Sequence, residues 1–363
     1  MKKKLVIDTD GVCDDVRAIS MALQTEEVEV IALTAVHGCV TVNQACANLA
    51  RMLRANRSRV PIFRGAECPL IGNNYSHKDD EHFFGTDGLG SVPNAFPKVI
   101  PDDFNAFVAG KHAALALFKL FSSNPGTILV CIGPLTNVAL ALKLNPTFAS
   151  LPHRMVILGG NVYGMGNVQS YSTAECNFNC DPEAAHIVLK EMQCPVTIVP
   201  WETFMAKSDQ KHGIDFHAHL SLDVPLAKFF ATVTNLGRAR MEANNRQFAY
   251  CDEIAVGIAI AEGKIIREAK MLRASVELHG ELTRGQIAVD WTSVLYGMDN
   301  GLIGEHPKLC KRRQQIEFVL DYDVHRLDRM VTEAIENSAR NIDKSLTIDS
   351  ELSLAERENN NEE

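Results

Sequence analysis

The chain has 363 residues, of which 46% are hydrophobic and 22% are charged, and its formal net charge is −9. This is ample for a sizeable core, and the acidic balance offers no basic face for nucleic acid. No run approaches the roughly 20 apolar residues of a membrane span, and the apolar run 5–7 is too short for a signal-peptide core. Ten cysteines without a CxxC pair are typical of reduced thiols, so we expect a cytoplasmic protein.

Short apolar runs alternate with segments of helical periodicity along most of the chain. Strands are predicted at 5–7, 28–36, 127–132, 155–158, 196–199, 271–278, 286–289 and 315–320. Helices are predicted at 16–23, 42–55, 104–121, 135–144, 182–189, 252–262 and 324–340. Two long loops, 67–103 and 162–180, interrupt this rhythm, and loops of this length often carry function.

The alternation of strands and helices predicts an α/β fold with a mostly parallel sheet covered by helices. The sequence has no internal repeat and no clear linker, so we expect a single catalytic domain over residues 1–344. Residues 345–363 are polar and acidic, and we expect them to form a disordered tail.

Four carboxylates lie within eight residues near the start of the chain: Asp8, Asp10, Asp14 and Asp15. They follow the first predicted strand and open the first predicted helix, which is where open α/β sheets bind ligands. One of the last two could serve only as a helix cap, but that explanation does not cover all four. Because crowded carboxylates repel one another unless a cation joins them, we predict a site for a hard metal ion.

Further polar groups follow in the second long loop and beyond it. Asn167, Glu175 and Asn177 offer amide and carboxylate groups that suit a polyhydroxylated ligand such as a sugar. Asp181 precedes a proline and is predicted to cap the next helix. Asp252 begins a later helix, where it is either another cap or an acid that meets the first cluster.

In their order along the chain, these motifs resemble the inosine-uridine-preferring nucleoside hydrolases. The opening Asp-x-Asp-x-Gly-x-Asp-Asp corresponds to residues 8–15, and the family order continues with Gly-Pro-Leu-Thr-Asn, Ala-Glu-x-Asn and Asp-Pro-Glu-Ala-Ala at 133–137, 174–177 and 181–185. The resemblance covers roughly residues 4–340. It implies the nucleoside hydrolase fold, a single domain with a mostly parallel, Rossmann-like sheet flanked by helices.

The resemblance also implies a calcium site. By the match, the ligands of Ca²⁺ would be Asp10, Asp15, Asp252 and the backbone carbonyl of Ile132, an all-oxygen set of the kind calcium prefers. Asp10 would take a proton from a calcium-bound water, which attacks the anomeric carbon through an oxocarbenium-like transition state. Asp8 would orient its neighbours from behind the ligands.

The implied substrate is a small ribonucleoside, hydrolysed at its N-glycosidic bond to free base and ribose. Its contacts would come from Asp14, Asn167, Glu175, Asn177 and His82. Nearby carboxylates would stabilise the positive charge that develops on the sugar. The resemblance further implies a role in nucleoside catabolism and purine salvage and a homodimer or homotetramer, while the preferred base stays open.

Several residues depart from the family pattern. The glycine of the opening motif is shifted by one position, to Gly11, and cysteines stand at 39, 176 and 251, where family members carry Asn, Phe and His. The histidine replaced by Cys251 protonates the leaving base in several members. Cys251 could donate that proton, since an ordinary thiol has a pKa near 8.5, or it could merely pack. The alternatives are His37, His82, another residue of the long loops, or the basicity of the base itself. Trp201 could stack on a base or belong to the core.

Two other functions stay open at this point. The start of the chain also matches haloacid-dehalogenase-type phosphatases, in which Asp8 would be the nucleophile and Asp10 the acid/base, with magnesium. That family needs a downstream acid pair at a strand end, where this chain has Gly159-Gly160-Asn161. The cysteine substitutions are the reason to consider the other alternative, a non-catalytic or weakly active homologue that binds ribosides or metal.

Overall fold

Nine strands form one sheet in the computed structural model, which describes residues 2–72, 81–168, 172–208, 213–261, 263–292 and 314–340. The strands are β1 Lys3–Thr9, β2 Val28–Ala35, β3 Ile62–Arg64, β4 Ile128–Cys131, β5 Arg154–Leu158, β6 Val196–Val199, β7 Ile266–Val276, β8 Ile287–Asp290 and β9 Ile316–Tyr322. Their order in the sheet is β3-β2-β1-β4-β5-β6-β9-β7-β8. Strands β1 to β6 and β9 are parallel, and β7 runs antiparallel to both β8 and β9.

The strand order reverses at β1. The chain leaves β1 toward β2 and β3 on one side and later returns to place β4 on the other side. Such a reversal leaves a crevice at the carboxyl ends of the two central strands, and open α/β sheets bind their ligands there. The residues that follow β1 and β4 are therefore placed to form a site.

Helices cover both faces of the sheet. They are α1 Cys13–Leu23, α2 Val42–Ala55, α3 Glu81–Phe84, α4 Ala113–Ser123, α5 Thr136–Leu144, α6 Cys176–Cys180, α7 Pro182–Glu191, α8 Trp201–Met205, α9 Pro225–Val233, α10 Asn235–Glu242, α11 Asp252–Ala261 and α12 over 324–340. Alternate strand residues point to opposite faces. As a result Leu5 and Ile7 join the core under α1, α2, α9, α11 and α12, whereas Val6 joins the core under α4, α5 and α7.

The α/β architecture predicted from the sequence is confirmed, and most predicted elements lie within two residues of their predicted bounds. The helix predicted over 104–121 is wrong in its first half: a 3₁₀ turn spans Pro101–Asn105, and α4 begins only at Ala113. Gly110 has φ +69° and breaks the helical path, and the ring of His112 accepts a hydrogen bond from the amide of Ala114 as the cap.

Strand β3 and helices α3, α6, α8, α9 and α10 were not predicted, and the last three of these helices lie between β6 and α11. The bounds 1–344 and 345–363 stay predictions, and the predicted tail lies outside the described residues. Among the described residues, none of the helices combines the length and the apolar character that a membrane crossing needs.

Candidate active site

A pocket of about 260 Å³ opens at the carboxyl ends of the parallel strands. Asp10 enters it directly after β1, and Ile132 directly after β4. Gly11 lets the chain turn sharply at this point, since it has φ +69° and an added Cβ would lie 3.0 Å from the carbonyl oxygen of Ala45. The shifted glycine of the opening motif therefore still serves the turn from β1 into α1.

Three further carboxylates face the same pocket from the first turns of two helices. Asp14 and Asp15 belong to α1, Asp252 is the first residue of α11, and the two helices pack against each other. Oxygens of Asp14 and Asp252 lie within 4.8 Å of one another and of the Cys251 sulfur. The structure thus places Asp10, Asp14, Asp15 and Asp252 around one pocket, and the possible metal ligands that it groups most tightly among the described residues are Asp14, Cys251 and Asp252.

Burial and mutual repulsion dominate the electrostatics of this cluster, and the nearby positive charge of Arg17 offsets them only in part at Asp14. Burial raises the pKa of Asp10 to about 6, and burial with the negative charges of Glu253 and Asp10 raises that of Asp14 to about 7. For Asp15 and Asp252, burial and the neighbouring carboxylates raise the pKa well above the ordinary range. Among the described residues, Oδ1 of Asp14 is buried without a hydrogen-bond partner. Such a set of oxygen atoms suits a hard divalent cation, which would replace the missing protons and partners.

The second loop supplies the polar groups expected for a sugar. Glu175 is the N-cap of α6, accepting hydrogen bonds from the amides of Gly160, Asn177 and Phe178, and burial raises its pKa to about 8. The side-chain amide of Asn177 donates to the carbonyl of Ile132 at 3.1 Å. That carbonyl has a second lone pair, so the contact is compatible with the predicted cation ligand.

Asn167 lies at the exposed rim of the same pocket. Its Oδ1 accepts a hydrogen bond of 2.7 Å from the amide of Cys176, which orients the side chain. The loop around it is held by Glu202, a buried carboxylate of α8 that accepts from the amides of Val162, Tyr163 and Met165 at 2.8–3.1 Å. Sequence reasoning missed Glu202, because nothing in its local pattern distinguishes it from a surface acid in a short helix.

Asp8 does not line the pocket. It is fully buried, and its Oδ1 accepts hydrogen bonds from Thr34 and Asn137. Asn137 also donates to the carbonyl of Ala35, so the Gly-Pro-Leu-Thr-Asn motif joins the ends of β1, β2 and α5. The supporting role of Asp8 stays a prediction, and its burial leaves a phosphatase-type nucleophile at this position without access to substrate.

Aromatic and sulfur-containing side chains line another part of the pocket, together with one cation. They are Phe83, Phe84, Trp201, Phe204, Met205, Met241, Arg246 and Phe248. The rings of Phe83 and Phe248 lie 5.6 Å apart, and Nη1 of Arg246 lies 3.2 Å from the Met205 sulfur. Arg246 is the only cationic side chain among the described residues that line the pocket. Apart from Trp201, sequence reasoning missed this group, because its members come from short helices and loops without a motif.

All three substituted cysteines, Cys39, Cys176 and Cys251, line the pocket. Burial and the charge of Asp252 raise the pKa of the Cys251 thiol well above its ordinary value, so this thiol is a weaker acid than an exposed one. His37 does not line the pocket, since its Nε2 lies 3.0 Å from the Thr136 hydroxyl and its ring is buried. The side chain of His82 lies outside the described residues.

Comparison with known proteins agrees with this geometry. A family model described as inosine-uridine preferring nucleoside hydrolase matches residues 5–329. The chain belongs to that family. A solved structure named Inosine-Guanosine Nucleoside Hydrolase is similar to this nucleoside hydrolase family member with a TM-score of 0.77 and 32% identity, covering 92% of this chain and 99% of that one.

Two curated relatives illustrate the range of similarity. "Probable uridine nucleosidase 2" of Oryza sativa subsp. japonica is 39% identical over 189 residues, which are 52% of this chain and 53% of the relative. The match thus spans about half the length of that relative. "Inosine-uridine preferring nucleoside hydrolase" of Crithidia fasciculata is 29% identical over 303 residues, or 80% of this chain and 89% of the relative.

Proposed function

We propose that this nucleoside hydrolase family member cleaves the N-glycosidic bond of ribonucleosides, releasing the free base and ribose. The observation that carries the proposal is the joint lining of one pocket by Asp10, Asp14, Asp15 and Asp252 with Glu175 and Asn177. Carboxylates suit both a cation and an electron-poor sugar, and aromatic side chains in the same pocket suit a base.

The residues proposed to hold calcium are Asp10, Asp15, Asp252 and the carbonyl of Ile132. When bound there, the cation would activate the attacking water and help to fix the sugar hydroxyls. The burial and mutual repulsion of Asp10, Asp15 and Asp252 support such a site, as does the buried, partnerless Oδ1 of the neighbouring Asp14.

The side chains then divide the reaction between them. Asp10 accepts a proton from water as the oxygen of that water attacks the anomeric carbon. Asp14, Glu175, Asn167 and Asn177 hold the ribose hydroxyls, and the two carboxylates stabilise the positive charge that develops as the bond to the base breaks. The base leaves with the electron pair of that bond and takes up a proton.

We assign assistance to the departing base to the part of the pocket that is lined by aromatic side chains and Arg246. Arg246 can donate hydrogen bonds to a carbonyl oxygen or ring nitrogen of the base. The similar structure named for inosine and guanosine supports the proposal that the substrates of this chain carry 6-oxopurine bases. Proton donation by Cys251 stays one of two predictions, beside a role in packing, and the raised pKa of its thiol favours packing. Location in the cytoplasm and assembly into a dimer or tetramer also stay predictions.

The deciding experiment incubates the purified chain with inosine, guanosine, adenosine, uridine and cytidine, with calcium or with a chelator, and measures free ribose and base. We expect ribose release with calcium and its loss with the chelator. Nucleoside binding without ribose release would instead identify a riboside-binding protein. Phosphate release from a phosphomonoester panel would restore the phosphatase alternative.

A further inference from the structure

Two buried, oppositely charged side chains lie beside the pocket without lining it. Arg17 is 1% exposed and Glu253 is 0% exposed, and Nε of Arg17 donates to Oε1 of Glu253. Arg17 is on α1, one turn after Asp14, and Glu253 is on α11, directly after Asp252. The ion pair therefore joins the two helices whose first turns carry the carboxylates of the pocket.

The chain segment before α11 wraps around the guanidinium of Arg17. Nη2 of Arg17 donates to the carbonyl of Ala249 at 3.2 Å. Its Cζ lies 4.9 Å from the ring centroid of Phe248 and 5.2 Å from that of Tyr250, both within cation–π range. Because Phe248 lines the pocket, Arg17 fixes one wall of the aromatic part as well.

Glu253 completes the attachment from the other side. Its Oε1 binds the guanidinium, and its Oε2 accepts a hydrogen bond of 2.9 Å from the amide of Cys251. One carboxylate thus ties Arg17 to the residue immediately before Asp252. A shift of this carboxylate would move the backbone that aims Asp252 at Asp14 and Asp15.

We propose that Arg17 and Glu253 are positioning residues that hold the 248–252 segment against α1 and so set the geometry of the cation site. The inference rests on the proposed calcium site and adds residues outside its ligands. Groups behind metal ligands commonly change metal affinity 10- to 100-fold when they are replaced.

Electrostatics alone and loss of positioning predict opposite changes in calcium affinity when Arg17 is replaced, which makes the inference testable. Removing the positive charge of Arg17 leaves the neighbourhood of the carboxylates more negative, and electrostatics alone would then tighten calcium binding. Loss of positioning would weaken it, because Asp252 would no longer be held toward α1.

The test is calorimetric titration of calcium into chelator-stripped wild type, Arg17→Met and the double variant Arg17→Met/Glu253→Met. We expect roughly tenfold weaker calcium binding in Arg17→Met. The double variant leaves no unpaired buried charge, so we expect it to regain thermal stability but not calcium affinity. If Arg17→Met does not fold, the calcium affinity of the double variant tests the inference in its place.

Arg51→Met is the matched control. Arg51 is equally buried, donates to the carbonyls of Val92, Ala95 and Pro97, and lies 5.7 Å from the Phe229 ring, but none of these residues lines the pocket. Its loss should lower the melting temperature and leave calcium affinity unchanged. Unchanged or tighter calcium binding in the Arg17 variants would overturn this inference and leave the proposed cation site standing. A wild type that binds no calcium would overturn both the cation site and the inference.

Discussion

The backbone amide of Cys39 donates a hydrogen bond of 2.6 Å to Oδ2 of Asp10. The turn after β2 thereby seats the carboxylate that follows β1, so two neighbouring strand ends jointly fix the proposed general base. This hydrogen bond comes from the backbone of residue 39, and the side chain of Cys39 makes a second hydrogen bond to Asp10. Cysteine can therefore stand at this position without loss of the backbone hydrogen bond.

Asp10→Asn should abolish most turnover while keeping the fold. An amide cannot accept the proton of the attacking water, and positioned general bases typically contribute 10²–10⁴-fold to rate. Steady-state ribose release and circular dichroism of the same preparation measure the two effects. Asp223→Asn, at a side chain that is 93% exposed, is the matched control and should leave both unchanged. Near-wild-type rates in Asp10→Asn would contradict the general-base role.

Calcium should stabilise the protein more strongly as pH rises from 5 to 8. Burial raises the pKa of Asp10 to about 6 and that of Asp14 to about 7 in the metal-free protein, whereas the unfolded chain loses these protons near pH 4. At pH values between the pKa of the unfolded chain and that of the folded protein, the folded state binds more protons than the unfolded chain. The free energy of unfolding therefore falls as pH rises through this range. A cation must displace the same protons, so it binds more weakly at low pH.

Thermal melts with calcium and with a chelator at each pH measure this difference directly. The difference between the melting temperatures with calcium and with chelator should increase from pH 5 to 8. At each pH this difference should be smaller in Asp15→Asn than in wild type. A difference that stays constant or shrinks as pH rises would contradict the linkage between the cation and these carboxylates.

Glu202→Gln should weaken substrate binding more than it slows chemistry. Among the described residues, the carboxylate of Glu202 accepts only backbone amides of the loop that carries Asn167, and a glutamine would direct an NH₂ group at some of these donors. We expect KM to rise several-fold with a smaller change in kcat, measured with one nucleoside at saturating calcium. An equal fall in kcat at unchanged KM would instead place Glu202 in the reaction itself.

The sequence was sufficient for those parts of the molecule that obey local rules. Asp181 is the helix cap that its Asp-Pro context predicts, and α2 has the bounds that its periodicity predicts. The order of motifs also singled out Asp10, Asp14, Asp15 and Asp252, which line one pocket, and their roles there stay predictions. Phe83, Arg246 and Phe248 could not be found in this way, because only tertiary packing brings these distant parts of the chain together. The pair Arg17–Glu253 is separated by 236 residues, and neither side chain belongs to a motif.

Cys251→Ala tests the residue that stands in place of the family histidine. Its thiol is buried and its pKa is raised well above the ordinary value by burial and by Asp252, so it is poorly suited to giving up a proton. We expect only a small change in kcat, similar for nucleosides with good and poor leaving groups. A loss confined to poor leaving groups would show that the thiol does protonate the departing base.

Gly38→Ala should reduce activity by moving Asp10. A Cβ at position 38 would lie 2.1 Å from Oδ2 of Asp10 and 2.6 Å from its Cγ, which is closer than real Cβ contacts allow. The carboxylate must then shift away from the amide of Cys39 and from its orientation in the pocket, and displacements of about 1 Å can cost 10²-fold in rate.

Gly110→Ala is the control, because it replaces a glycine with positive φ without creating a steric clash. Gly110 has φ +69° but nothing within 4 Å of an added Cβ, so alanine there should lower the melting temperature and leave kcat unchanged. In Gly38→Ala we expect the reverse, with kcat reduced about tenfold or more at a modest cost in melting temperature. Equal kcat in the two variants would show that Asp10 tolerates displacement, which is incompatible with a proton acceptor held by the amide of Cys39.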